Sequence, residues 1–186
     1  MYFHPASGKY NGRNLEIAPS YYPFIISDVA LEGNIDDALL GQLNPSLLVK
    51  TMASTASYDY LVIRMKMNID IGMPSIMIYP KTFWNKIGGL SMFRRSTNTN
   101  YREFDNKYMI SLGNQNWFFG CLNKEIMSLM IELELPKNCG AVFQFSKKHG
   151  TFSILPRAIG KEKLIKIIDI LEKIINNIES SNQRIG

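Results

Sequence analysis

The hydrophobic pattern of this chain changes period several times, and each change predicts an element. Leu15 and Ile17 alternate with Asn14 and Glu16, as in a half-buried strand. Ahead of them, Gly8-Lys9-Tyr10-Asn11-Gly12-Arg13 reads as turn sequence around two glycines. The clearest period-two run is Leu61, Ile63, Met65, Met67 and Ile69 against Arg64, Lys66, Asn68 and Asp70. It predicts a strand with one face on a core and one in water. Gly72-Met73-Pro74 follows as a turn, then a short strand from Ser75 to Tyr79. The short link makes an antiparallel hairpin of these two runs the simplest pairing.

Helical spacing appears in four places. Residues 34–53 carry broken helical pieces, interrupted at Asn44-Pro45-Ser46. Residues 81–89 hold one predicted turn, ended by Gly88-Gly89. Phe118, Cys121, Leu122, Ile126, Leu129 and Met130 recur every three or four residues and predict one helix from Trp117 to Leu133. A strand at 107–112 precedes it. Two Val/Phe/Ile-rich runs, Ala141–Ser146 and Thr151–Leu155, flank Lys147-Lys148-His149-Gly150, which reads as a hairpin turn. After Gly160 comes the strongest element: Leu164, Ile167, Ile168, Leu171, Ile174, Ile175 and Ile178 form one unbroken stripe. Glu162–Lys166 and Asp169–Lys173 are candidate i,i+4 ion pairs along it.

Strand and helix do not alternate regularly. The expected fold is therefore α+β, a mainly antiparallel sheet with helices on one face and a long amphipathic C-terminal helix. One domain spans 1–180, with 181–186 as a frayed tail.

Composition narrows the class. A chain of 186 residues that is 46% hydrophobic can bury a core without disulfides or metal. Its two cysteines, Cys121 and Cys139, form no disulfide framework and suit a reducing compartment. Apolar runs are broken by charge before the ~18–20 residues that a spanning helix needs. Met1 to Pro5 lack the basic start and apolar stretch of a signal peptide. The expectation is a soluble, cytoplasmic chain.

The net charge of +5 is uneven. Residues 1–80 carry −2, 81–107 carry +4, 108–146 carry −1 and 147–186 carry +4. Within the first basic segment, Arg94, Arg95 and Arg102 with Tyr101 form a candidate contact for an anion or nucleic acid.

Signatures of chemistry are absent. There is no phosphate-binding glycine loop, no H-E-x-x-H, no C-x-x-C and no G-x-S-x-G. His4, His149, Cys121 and Cys139 have no ligand-motif spacing. A Cys121–His149 nucleophile pair is disfavoured because Cys121 sits on an apolar helix face. Asp36-Asp37 and Glu132/Glu134 read as helix-end and solvated carboxylates. No cofactor, metal or catalytic residue is assigned.

Two segments carry a family resemblance. One is Gly8 to Arg13 with the strand Leu15–Ile17. The other is Phe104-Asp105-Asn106-Lys107-Tyr108-Met109-Ile110, followed by a helix, a hairpin and a long terminal helix. Together they resemble a family of uncharacterised prokaryotic domains whose Phe-Asp-x-x-Phe strand opens the same order of elements. Here Tyr108 replaces the second Phe. The resemblance implies a cytoplasmic domain, often attached in that family to N-terminal membrane helices, and brings no activity or site residue.

The functional expectation is a non-enzymatic binding or scaffold domain acting through another protein or a second copy, with Ile174, Ile175 and Ile178 as the candidate partner surface. The alternatives are an enzyme with an unrecognised site, or an electrostatic binder of nucleic acid or anionic lipid through 81–107.

Overall fold

The computed structural model describes residues 6–20, 60–72, 76–81, 98–111, 116–135, 140–155 and 159–182. Seven strands form one sheet: β1 (Ala6–Tyr10), β2 (Arg13–Ser20), β3 (Tyr60–Lys66), β4 (Ile76–Pro80), β5 (Tyr108–Ser111), β6 (Val142–Ser146) and β7 (His149–Ile154). Their order is β1-β2-β3-β7-β6-β4-β5, and every neighbouring pair is antiparallel. The helices are α1 (Arg102–Lys107), α2 (Lys124–Glu132) and α3 (Lys161–Asn182), with a 3-10 helix at Asn116–Cys121. The fold is α+β, as the pattern predicts. The helical pieces expected at 34–53 and the turn expected across 81–89 lie outside the described residues, apart from Lys81.

The core follows from period two meeting period 3.6. Leu61, Ile63 and Met65 of β3, Ile76 and Ile78 of β4, Phe143 and Phe145 of β6, and Phe152 and Ile154 of β7 point to one side of the sheet. There they meet Ile167, Leu171, Ile174, Ile175 and Ile178 of α3. Phe143 lies opposite Phe152 across the β6–β7 pair, with ring centroids 4.6 Å apart. Each buried aliphatic side chain of α3 is worth ~1.5–3 kcal/mol, against ~0.2–0.5 kcal/mol for a surface i,i+4 ion pair. The apolar stripe therefore sets how α3 sits, and the charges find partners afterwards. Asp169 accepts from the Tyr10 hydroxyl, and Lys173 pairs with Glu125 of α2 at 2.5 Å. Long-range partners thus replace the local pairing expected for Asp169 and Lys173.

The helix comes close enough to β7 that a side chain at Gly150 would press on it. A Cβ built on Gly150 would lie 2.8 Å from Ile175 Cδ1 and 3.1 Å from Phe145 Cδ1. The described helices all contribute to this larger cluster. On the other side of the sheet, Met77, Tyr79 and Val142 form a smaller buried cluster. Beside it Gln144, Ser146, Thr151 and Ser153 are also buried.

Three expectations are corrected. First, β3 does not pair with β4. The β6–β7 hairpin lies between them, and the chain leaving β3 crosses the hairpin tip instead of turning back. Met67 N donates to Lys148 O, Ile71 N to Lys147 O, and Lys147 N to Gly72 O. Those bonds use the backbone that a direct turn would have used. Second, the helix expected from Trp117 to Leu133 is broken. Asn123 is extended and accepts a hydrogen bond from Ile126 N at 2.9 Å, capping α2 as a new helix. The Cys121 carbonyl beside the break is satisfied by Asn177 Nδ2 at 2.9 Å. Third, Gly8 belongs to a strand, and the turn is Asn11-Gly12 alone. Likewise only Lys147 and Lys148 form the β6–β7 turn, so His149 and Gly150 lie within β7.

Candidate binding surface at the β1 edge

The Asn11-Gly12 pair has φ values of 47° and 82°. Positive φ at both positions is the geometry that joins tightly twisted antiparallel strands, and Asn-Gly adopts it at low cost. The turn sets β1 against β2 in the register Lys9↔Asn14 and Ser7↔Glu16. Tyr10 and Arg13 then face α3, while Lys9, Asn14 and Glu16 face away from it.

The α3 side of the hairpin tip is clasped by polar contacts. Tyr10 donates to Asp169, which, followed by burial, pushes its phenol up to about 12. Asn11 Nδ2 donates to Glu172 at 2.8 Å. Arg13 forms a forked pair with Glu179 at 2.8 and 2.6 Å and also donates to Asn176 at 2.5 Å. Glu179 accepts a further bond from the Asn68 backbone at 2.7 Å. Burial pushes the Glu179 carboxyl up, but the bonds from Arg13 and Asn68 outweigh it, so the net shift is downward. An open cleft of about 490 Å³ lies at the hairpin tip, lined by the turn, Asn14, Lys66, Asn68, Glu172 and Asn176.

The opposite side of the same strands carries cations in cross-strand order. Arg64 lies opposite Glu16 on one side and Thr151 on the other, and Lys66 lies opposite His149. Among the described strand residues, Lys9, Arg64, Lys66 and His149 therefore share one face with Glu16. The Arg64–Glu16 contact is loose, at 4.0 Å and solvent-exposed. No ion pair involves Lys9, Lys66 or Lys148 among the described residues. Burial, then the charge of Arg64, lowers the His149 pKa; Lys66 adds to this and Glu16 opposes it.

β1 is the terminal strand. It pairs with β2 alone among the described residues, and Ala6, Ser7, Gly8 and Lys9 are exposed. Gly8 has no atom within 4 Å of the position where a Cβ would stand.

The residues singled out from sequence do not converge here. Arg102 is exposed on α1, next to β5 at the other edge of the sheet. Six strand spacings of ~4.8 Å put that edge about 29 Å away from β1. Tyr101 is half-buried: its hydroxyl lies 3.3 Å from Ser128 Oγ, and Lys124 Nζ sits 5.7 Å from its ring centroid. Arg94 and Arg95 lie outside the described residues. Ile174, Ile175 and Ile178 are each 0% exposed under the sheet. The partner surface assigned to them is corrected, because the core covers all three side chains.

Among the described residues, no three His, Cys, Asp or Glu side chains are grouped to hold a metal ion. His4, Cys139, Asp36 and Asp37 lie outside those residues. Cys121 is buried on the α3 side of the sheet, where burial pushes its thiol up despite a 3.5 Å contact to Ser181 Oγ. His149 faces the other side, so the two do not meet. Glu132 and Glu134 are exposed. Among the described residues, no helix is long and apolar enough to cross a membrane.

Compared with protein-family models, curated proteins and solved structures, the chain has no match in any of the three.

Sequence reasoning missed Lys9, Lys66 and His149 as a group. They are 57 and 83 residues apart along the chain, and only the strand order joins them. The signal for the clasp was present: Asp169, Glu172, Asn176 and Glu179 recur at helical spacing beside the apolar stripe.

Proposed function

We propose that this chain is a non-enzymatic binding domain that captures an extended protein segment along β1. The observation that carries this reading is an exposed terminal strand held in place by its own hairpin clasp. Backbone groups on the outer side of an edge strand are ready donors and acceptors for an added strand. Tyr10, Asn11 and Arg13 anchor the tip to α3, so β1 is ordered before a partner arrives. Pre-ordering lowers the entropy lost on binding.

The test is selection of eight-residue peptides from a random library, followed by amide exchange on the isotopically labelled protein. Strand addition slows alternate amides between Ala6 and Tyr10, because only every second backbone N–H faces outward. Selected peptides that leave all of these amides unprotected would overturn the reading.

A further inference from the structure

We infer that the segment captured at β1 is acidic on one face only, with carboxylates at every second residue on the side of the sheet away from α3. This rests on the strand-addition reading above and names the chemistry of its ligand.

The two faces of the β1 edge differ in charge. Away from α3, Lys9 stands in β1 itself, and behind it lie Asn14, Lys66 and His149 in successive strands. The adjacent row is Ser7, Glu16, Arg64 and Thr151. Glu16 is half-committed to Arg64, and Lys9 and Lys66 have no carboxylate of their own among the described residues. An added antiparallel strand puts a side chain directly across from Lys9, with Cβ atoms ~4.5–5.5 Å apart. The next side chain on that face, two residues along, falls opposite Ser7. A carboxylate across from Lys9 faces that lysine directly, and one across from Ser7 reaches the same lysine along the diagonal, ~7–8 Å away. On the α3 side the sign reverses. Asp169 and Glu172 flank Tyr10 and Asn11 at that edge, so a carboxylate pointing there meets like charge. Opposite Gly8 the space is open and takes a larger neutral side chain.

A lysine on an edge strand commonly deters unwanted pairing. Lys9 does so here against neutral or basic strands, and the same charge admits an acidic one. A second copy of the chain would bring β1 against β1 with like charges on the same face, which disfavours it as the occupant.

The test compares three synthetic peptides of equal length: Thr-Glu repeated four times, Thr-Gln repeated four times, and a block peptide of four Thr followed by four Glu. Binding is followed by amide exchange at Ala6–Tyr10 and by titration at low and high salt. The alternating acidic peptide is expected to bind on the order of tenfold more tightly than the neutral one at low salt, with the gap closing as salt rises. It should also exceed the block peptide of the same charge. Lys9→Glu should remove the preference while leaving the fold intact, since Lys9 is exposed. Lys66→Gln should weaken it without abolishing it. Equal protection of β1 by the acidic and neutral peptides overturns the charge selection and leaves strand addition standing. Equal binding of the block and alternating peptides overturns the one-face pattern. If no peptide protects β1, both readings fall.

Discussion

Gly150→Ala tests how closely α3 crosses the sheet. The added methyl would stand 2.8 Å from Ile175 Cδ1, 3.1 Å from Ile175 Cγ1 and 3.1 Å from Phe145 Cδ1. All three atoms belong to side chains that are 0% exposed, so none can swing into solvent. Overpacking of this kind costs about 1–3 kcal/mol. Replacing glycine also restricts the unfolded chain, which returns about 0.4–1 kcal/mol. The net expectation is a loss centred on about 1.3 kcal/mol. In a domain of this size that is a fall in Tm of roughly 3–5 °C. Ile175→Val removes the atom at 2.8 Å and alone costs about 0.5–1.5 kcal/mol. Combined with Gly150→Ala, it vacates the space that the new methyl needs. The double variant should therefore be more stable than the sum of the single losses by about 1 kcal/mol. The Ile175 Cγ1 and Phe145 contacts at 3.1 Å remain, so the rescue is partial. Urea unfolding of all four proteins closes the cycle. A neutral Gly150→Ala, or losses that add within about 0.3 kcal/mol, would refute the close passage of α3 over β7.

Two further outcomes follow from the clasp and the core. Glu179→Gln should cost about 1–3 kcal/mol near neutral pH, since it weakens the charge-assisted bonds from Arg13 and the Asn68 backbone. The Glu179 carboxyl is held below its ordinary 4.5 in the fold, so its contribution is complete above that pH and is lost as pH falls further. The variant should show a flatter acid limb in denaturation curves, and identical limbs would sink the clasp. In a Cys139→Ser background, Cys121 should resist alkylation in native protein and react on unfolding, because its thiol is buried and its pKa is raised. Mass spectrometry of native and urea-treated samples decides this, and rapid native labelling would contradict the packing of the 3-10 helix against α3.

The architecture was legible wherever a local pattern decided the outcome. The stripe from Ile167 to Ile178 places α3, and the alternation from Leu61 to Met65 places β3, because both patterns are read within a few residues. Partnering was not legible. Whether β3 turns back onto β4 depends on the β6–β7 hairpin, some 80 residues further on, entering between them. The break at Asn123 escaped for a different reason. The apolar spacing continues across it, and the competing signal is one side chain that caps Ile126 N. The candidate surface was the least legible part. Lys66 read as one more solvent-facing residue, and His149 read as a turn. Both acquire a common face only through the registers Lys66↔His149 and Lys9↔Asn14.

α3 has two jobs, and its sequence separates them by face. The apolar stripe from Ile167 to Ile178 closes the core and is buried along its length. Beside it, Asp169, Glu172, Asn176 and Glu179 step along the helix at intervals of three, four and three residues, which keeps them in line. That polar line has the spacing of an ordinary solvated flank, yet three of its carboxylates and one amide hold Tyr10, Asn11 and Arg13. The β1–β2 hairpin has little buried apolar area of its own, since Ala6 to Lys9 are exposed and Leu15 and Ile17 only partly covered. A two-stranded ribbon with so small a core is marginal in water. Its order must come from the pairing of β2 with β3 and from the clasp. Loosening the clasp therefore acts first on β1, the strand farthest from the core, and leaves the packing of Ile167 to Ile178 untouched. The same helix face that reads as surface in the sequence controls whether the edge is presented as a strand at all.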